Sequence, residues 1–240
     1  MTRPELASAA ERLWLQSGMT PTGTRSVREV VSWVHSVTIE THHALSIATI
    51  QGWMAGQGFT APIDDPNRRL RGCAVASAGT GLIFVDASDP IEEREFTIAH
   101  EVAHLLLDYY GPREHSVRLI GAGARGVFDG SRAASFPEHL TAALHGESLR
   151  PFVHLLARDA NFVASAAVLA REALADELAC ELLVPTDEVL EAMPGRWSQK
   201  DATSVLVERF QLPPAPAADY ARRLVRRFQP APTFVDWLAP

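Results

Sequence analysis

Apolar residues recur at three-to-four spacing from Pro4 to Gly58, through Leu13, Val27, Val30, Val31, Val34, Ile50, Trp53 and Met54, which predicts helices. The cluster Asp64-Asp65-Pro66-Asn67 interrupts that pattern. Two β-like runs follow, Gly72 to Ala76 and Leu82 to Val85, on either side of Ser77-Ala78-Gly79-Thr80-Gly81, and read as a hairpin. Asp89-Pro90-Ile91-Glu92 then offers a helix start with Asp89 as the cap. That helix is expected to run to about Tyr109 and to stop at Gly111-Pro112. Residues 111–164 carry weaker signals, with short helices expected near 137–144 and 147–158. A long helix is expected over 165–184, ending at Pro185, and two amphipathic helices over 202–210 and 217–228. The pattern therefore predicts a mostly helical α+β chain with a small sheet. Its natural divisions fall at 1–66, 67–190 and 191–240.

Composition narrows the class. The chain has 240 residues, 47% of them hydrophobic and 21% charged, an ordinary globular balance that excludes collagen-like, coiled-coil and disordered proteins. Its formal charge of -7 is the wrong sign for a protein that lives on phosphate backbones. Residues 46–56 have a faint helix-turn-helix look, yet no Lys or Arg lies between Arg28 and Arg68, so the charge needed to neutralise phosphate is missing. Direct nucleic-acid binding is not expected. Two cysteines, Cys73 and Cys180, fit a reducing compartment better than a disulfide scaffold. The opening residues lead into no apolar run, and no stretch reaches the roughly 18 apolar residues of a membrane span. A cytoplasmic protein without membrane attachment is expected.

The chemistry concentrates in Phe96-Thr97-Ile98-Ala99-His100-Glu101-Val102-Ala103-His104. Four residues apart on a helix, His100 and His104 stand one turn apart on one face, where both can reach one ion. Glu101 projects about 100° away, close enough to take a proton from a water that a cation has acidified. Their apolar neighbours Ile98, Val102, Leu105, Leu106 and Leu107 predict a buried helix, in which two histidines and a glutamate need partners.

A catalytic zinc site needs a third protein ligand. Asp108, four residues after His104, is geometrically permitted. Tyr110 stands where a third histidine of the longer zinc-protease motif would be, which excludes that variant. Glu172 is the third candidate: it shares one helical face with Val168, Ala175, Ala179 and Leu182, and a carboxylate on that apolar face calls for a cation. Asp176, near Glu172 on the same helix, suits the other nitrogen of a ligand histidine. Glu177 and Glu181 are expected to form a solvated stripe.

Three stretches together resemble the ImmA/IrrE-type zinc metallopeptidases: Leu82 to Asp86, Glu95 to Leu107, and Glu172 to Pro185. The resemblance implies a zincin-like catalytic region within 67–190 and one Zn2+ per chain. In the family's second motif the glutamate thirteen residues before the proline is a zinc ligand, which implies His100, His104 and Glu172 as ligands and Glu101 as general base. It also implies a protein substrate, such as a transcriptional repressor cleaved in a stress response. Two departures stand out. The family's short connection is replaced by 67 residues between His104 and Glu172, so 111–164 looks like an insertion, and Asp108 replaces a common histidine.

His115, His139, His145, His154, Tyr109 and Tyr110 all remain open as partners for a tetrahedral oxyanion. Two other functions compete with an endopeptidase. One is a regulatory binding module whose metal is structural or vestigial, which would tend to close the fourth position with another Cys or His. The other is a metal-dependent amidase or esterase acting on a small molecule.

Overall fold

The computed structural model describes residues 3–19, 26–60, 63–128, 131–144, 152–158 and 165–229. Eleven α-helices and four strands lie among them. The chain opens with α1 (Arg3–Ser17), α2 (Val27–Val34), β1 (Val37–His42) and α3 (Ile47–Gly56). The hairpin β2 (Leu70–Ser77) and β3 (Thr80–Asp86) leads into α4 (Ile91–His104), a π-helical turn at Leu105–Tyr110, and α5 (Gly111–Ile120). Then come α6 (Arg125–Phe128), α7 (Phe136–Leu144), β4 (Phe152–Ala157), α8 (Ala166–Leu183), α9 (Thr186–Ala192), α10 (Gln199–Glu208) and α11 (Pro214–Phe228).

Local chemistry explains these boundaries. Ser26, Ser46, Ser165 and Ser198 each cap a helix by accepting a backbone N–H three residues on, and Asp201 completes a capping box with Ser198. The hairpin turns on Ala78 and Gly79 alone, both at positive φ of 53° and 82°, as a two-residue turn matching the strand twist requires. The Gly79 N–H donates to the Tyr109 hydroxyl at 2.7 Å, tying the hairpin tip to the π-turn.

The four strands form one mixed sheet in the order β1-β3-β2-β4, with β1 parallel to β3 and the remaining pairs antiparallel. Side chains alternate between its faces. Cys73, Val75 and Phe84 join Leu45, Ile47, Ile50 and Met54 in a smaller core beneath α3. Ala74, Ala76, Ile83 and Val85 face a larger core built with α1, α2, α4, α8, α10 and α11. Val153 and Leu155 of β4 pack on the smaller core and Phe152 on the larger one, so the even positions of β4 face α4.

Four local expectations change. The N-terminal stretch contains a strand, β1, because Val37 and Ile39 pack into the sheet. Asp89 does not cap α4; Pro90 precedes it without a side-chain cap, and Asp89 is taken instead by Arg158 at 2.8 and 2.9 Å. The helix does not stop at Gly111-Pro112. The wider π-turn carries it onward with Pro112 in the first turn of α5, where a missing N–H costs little. Gly111 is required there, since a Cβ would stand 2.9 Å from the Leu106 carbonyl oxygen. Residues 152–157 are a strand, not a helix, because the ladder to β2 (Leu70↔Ala157 through Ala76↔Phe152) outweighs local propensity. Of that expected helix, residues 147–151 lie outside the described residues.

Candidate metal centre

Three separate elements converge on one point. α4 brings His100, Glu101 and His104, all buried, with Glu101 fully so. α8 crosses α4 closely because Ala175 and Ala179 leave no bulk between them, and it presents Glu172 and Asp176. β4, the sheet's edge strand, adds His154.

The imidazole and carboxylate contacts are specific. Nδ1 of His100 lies 2.9 Å from Oδ1 of Asp176, and Nδ1 of His104 lies 2.8 Å from Oδ2 of Asp108. Asp108 is itself held by Arg171 at 2.9 Å. With Nδ1 committed to a carboxylate in each ring, Nε2 is left to face the Glu172 carboxylate. His100 Nε2 is 3.3 Å from Oε2 and His104 Nε2 is 3.6 Å from Oε1. Both Nε2 atoms are buried and have no hydrogen-bond partner, an arrangement that is costly without an acceptor or ion.

These residues fit a metal. Four ligands about 2.0–2.1 Å from a tetrahedral zinc stand roughly 3.3–3.4 Å apart, close to the spacing of Glu172 from each histidine. The carboxylates behind His100 and His104 are the partners that fix the ring orientation of ligand histidines. One ligand atom each from His100, His104, His154 and Glu172 lie within 4.8 Å of one another. Cys73 and Cys180 are buried, and burial pushes both thiols well above their ordinary range, with Glu101 raising Cys73 further and Asp176 raising Cys180. They are poor candidates for thiolates.

Charge is concentrated in the cluster. Burial opposes protonation of His100, but Asp176 and Glu172 together outweigh it and raise its pKa to about 9. His154 behaves alike: burial opposes the charge, and Glu101 and Glu172 carry its pKa to about 10. Burial opposes ionisation of Glu172, yet its contacts with three imidazoles hold it far below the usual carboxylate range.

The structure brings His100, Glu101, His104 and Glu172 together. Asp176 holds the ring nitrogen anticipated for it, and Asp108 serves His104 instead of extending the ligand set. Glu177 and Glu181 are not a solvated stripe. Glu177 pairs with Arg223 at 3.2 Å, and Glu181 is buried, accepting from Thr186 and the Tyr220 hydroxyl. Among the open oxyanion candidates, His115 and His139 are exposed, Tyr109 is bound to Gly79, Tyr110 stacks on His35, and His145 lies outside the described residues. His154 alone of that set is at the centre. Its signal was present in the alternation of Val153 and Leu155 about it, but apolar residues on both faces of Phe152–Ala157 hide the period.

Residues 54–122 match the family model described as the IrrE N-terminal-like domain, Peptidase_M78. This stretch is similar to the IrrE-like peptidases. The match spans β2, β3, α4 and the π-turn, and so contains His100, Glu101 and His104; it ends before β4 and α8. No curated protein matches the chain. The IrrE-like stretch thus supplies two of the three expected metal ligands, and the remainder of the centre comes from elements beyond it.

Proposed function

We propose that the chain is a zinc-dependent endopeptidase, with His100, His104 and Glu172 as metal ligands and Glu101 as general base. The observation that carries this reading is the pair of buried Nε2 atoms on His100 and His104 that make no hydrogen bond and face the Glu172 carboxylate at 3.3 and 3.6 Å, in a chain whose residues 54–122 match an IrrE-like peptidase domain. A zinc ion bound there would polarise a peptide carbonyl and acidify water. Glu101 is one residue round the helix from His100, and its Oε1 is buried and unpartnered. It would accept the proton of the attacking water and return it to the leaving amine. Asp176 and Asp108 keep the two ligand rings turned so that Nε2 faces the ion.

The substrate is a protein, and we take a regulatory protein such as a transcriptional repressor as the fitting class. That choice comes from the sequence resemblance. No helix among the described residues is long and apolar enough to cross a membrane, and the net charge of -7 fits partners other than nucleic acid.

One observation favours a second reading, a non-catalytic module with a closed metal site: His154 offers a fourth donor within the same 4.8 Å cluster. The experiment that separates the two is a search for new protein N-termini in lysate from the native cell, treated with zinc-loaded wild type or with Glu101→Gln. Termini that appear with wild type and vanish with E101Q support the peptidase. Identical termini with both, or none with either, support the closed module.

A further inference from the structure

We propose that His154 is a gate: its imidazole lies across the metal site and holds one carboxylate oxygen of the general base, so the resting enzyme is restrained until this ring swings away. The inference rests on the metallopeptidase reading and concerns its regulation.

Nδ1 of His154 lies 2.8 Å from Oε2 of Glu101, and Nε2 lies 3.2 Å from Oε1 of Glu172. One ring therefore bridges the residue expected to take the water's proton and the residue expected to hold the metal. Oε2 of Glu101 is thereby taken by the imidazole and is not open to a water. The ring also covers a face of the His104 imidazole. It lies flat on His104, with centroids 3.7 Å apart and planes 23° apart, whereas two imidazoles radiating from one tetrahedral zinc hold their centres about 5 Å apart. The His100 and His104 rings, at 4.8 Å and 69°, do meet that spacing. His154 is thus laid across the site, not aimed into it from the ligands' side.

The backbone beneath the gate is fixed. β4 is laddered to β2 with His154 opposite Ala74, and its far end is pinned by Arg158 to Asp86 and Asp89 at 2.8–2.9 Å. Opening requires only rotation of the side chain, which is less buried than those of His100 and His104 (15% exposed against 3%). A peptide that offers its own donor to Glu101 and fills the space over His104 would compete the ring away.

The test uses the full chain loaded with Co2+ and titrated with acetohydroxamate, which needs both an open metal position and a free carboxylate, with binding followed by the visible cobalt spectrum. His154→Ala is expected to bind hydroxamate at least tenfold more tightly than wild type at similar cobalt affinity. His154→Asn, whose side-chain amide can still donate to Glu101 but clears the ring, is expected to fall between them, and it serves if His154→Ala does not fold. Hydroxamate affinity that stays equal or weakens, with cobalt retained, overturns the gate and makes His154 an aid to ligand binding. A tenfold or greater loss of cobalt affinity in the variants also overturns it, making His154 a ligand. Failure of the wild type to take up cobalt overturns the underlying metal reading itself.

Discussion

Asp176 accepts from Nδ1 of His100 across the α4–α8 crossing at 2.9 Å, so the helix that carries Glu172 also sets the orientation of a ring on the helix it packs against. The two contributions of α8 are one turn apart, and neither is effective without close helix packing. Replacing Asp176 with Asn is expected to weaken zinc binding about 10–100-fold while leaving the fold intact. Chelator competition, read beside circular dichroism, checks it.

Gly72 of β2 sits under Glu101. A Cβ at this position would stand 2.6 Å from Thr97 Cγ2 and 2.9 Å from Glu101 Oε1. Gly72→Ala is therefore expected to push α4 off the sheet, lowering stability by about 1–3 kcal/mol, or roughly 2–4 °C in Tm per kcal/mol. Thermal unfolding of the metal-free protein measures this; an unchanged Tm would show that the strand and helix are not so closely apposed.

Removing the metal leaves histidines whose protonation is favoured by folding. His100 and His154 have folded-state pKa values of about 9 and about 10, above the ordinary 6.5. The stabilisation from their protonated forms is complete below pH 6.5 and is lost as pH rises through 9 to 10. The metal-free protein is thus expected to lose Tm steadily across that window. Zinc competes with the same protons, so its affinity is expected to rise over the same range. A Tm that increases with pH there would contradict the assigned contacts.

Arg158 anchors β4 to the buried Asp86 and to Asp89. Arg158→Ala removes charge-assisted hydrogen bonds and is expected to cost about 1.5–3 kcal/mol, with Arg69, 3.5 Å from Asp86, as partial compensation. Hydrogen exchange is expected to show the loss first in the β2–β4 ladder. Uniform loss across the molecule would mean that Arg158 supports the whole fold and not this strand.

Much of the centre was legible in the sequence because its signals are local. The spacing of His100 and His104 is a property of one helix, and Glu172 betrays itself as a carboxylate among Ala175, Ala179 and Leu182. The ring partners were half legible: Asp176 follows from its place near Glu172, whereas the spacing of Asp108 from His104 suits a metal ligand as well as a ring partner. His154 was the least visible. It reaches the site through a ladder between β2 and β4, strands about eighty positions apart in the chain, and sits in a segment that is apolar on both faces. β1 was hidden for a similar reason, since its pairing with β3 is parallel and distant in sequence.

A crystal grown with zinc and measured at the zinc absorption edge tests the central claim most directly. The expected result is one anomalous peak bounded by Nε2 of His100, Nε2 of His104 and the carboxylate of Glu172, at about 2.0–2.2 Å from each. A map with no peak at that crossing, or with Glu172 turned away from both rings, would contradict it.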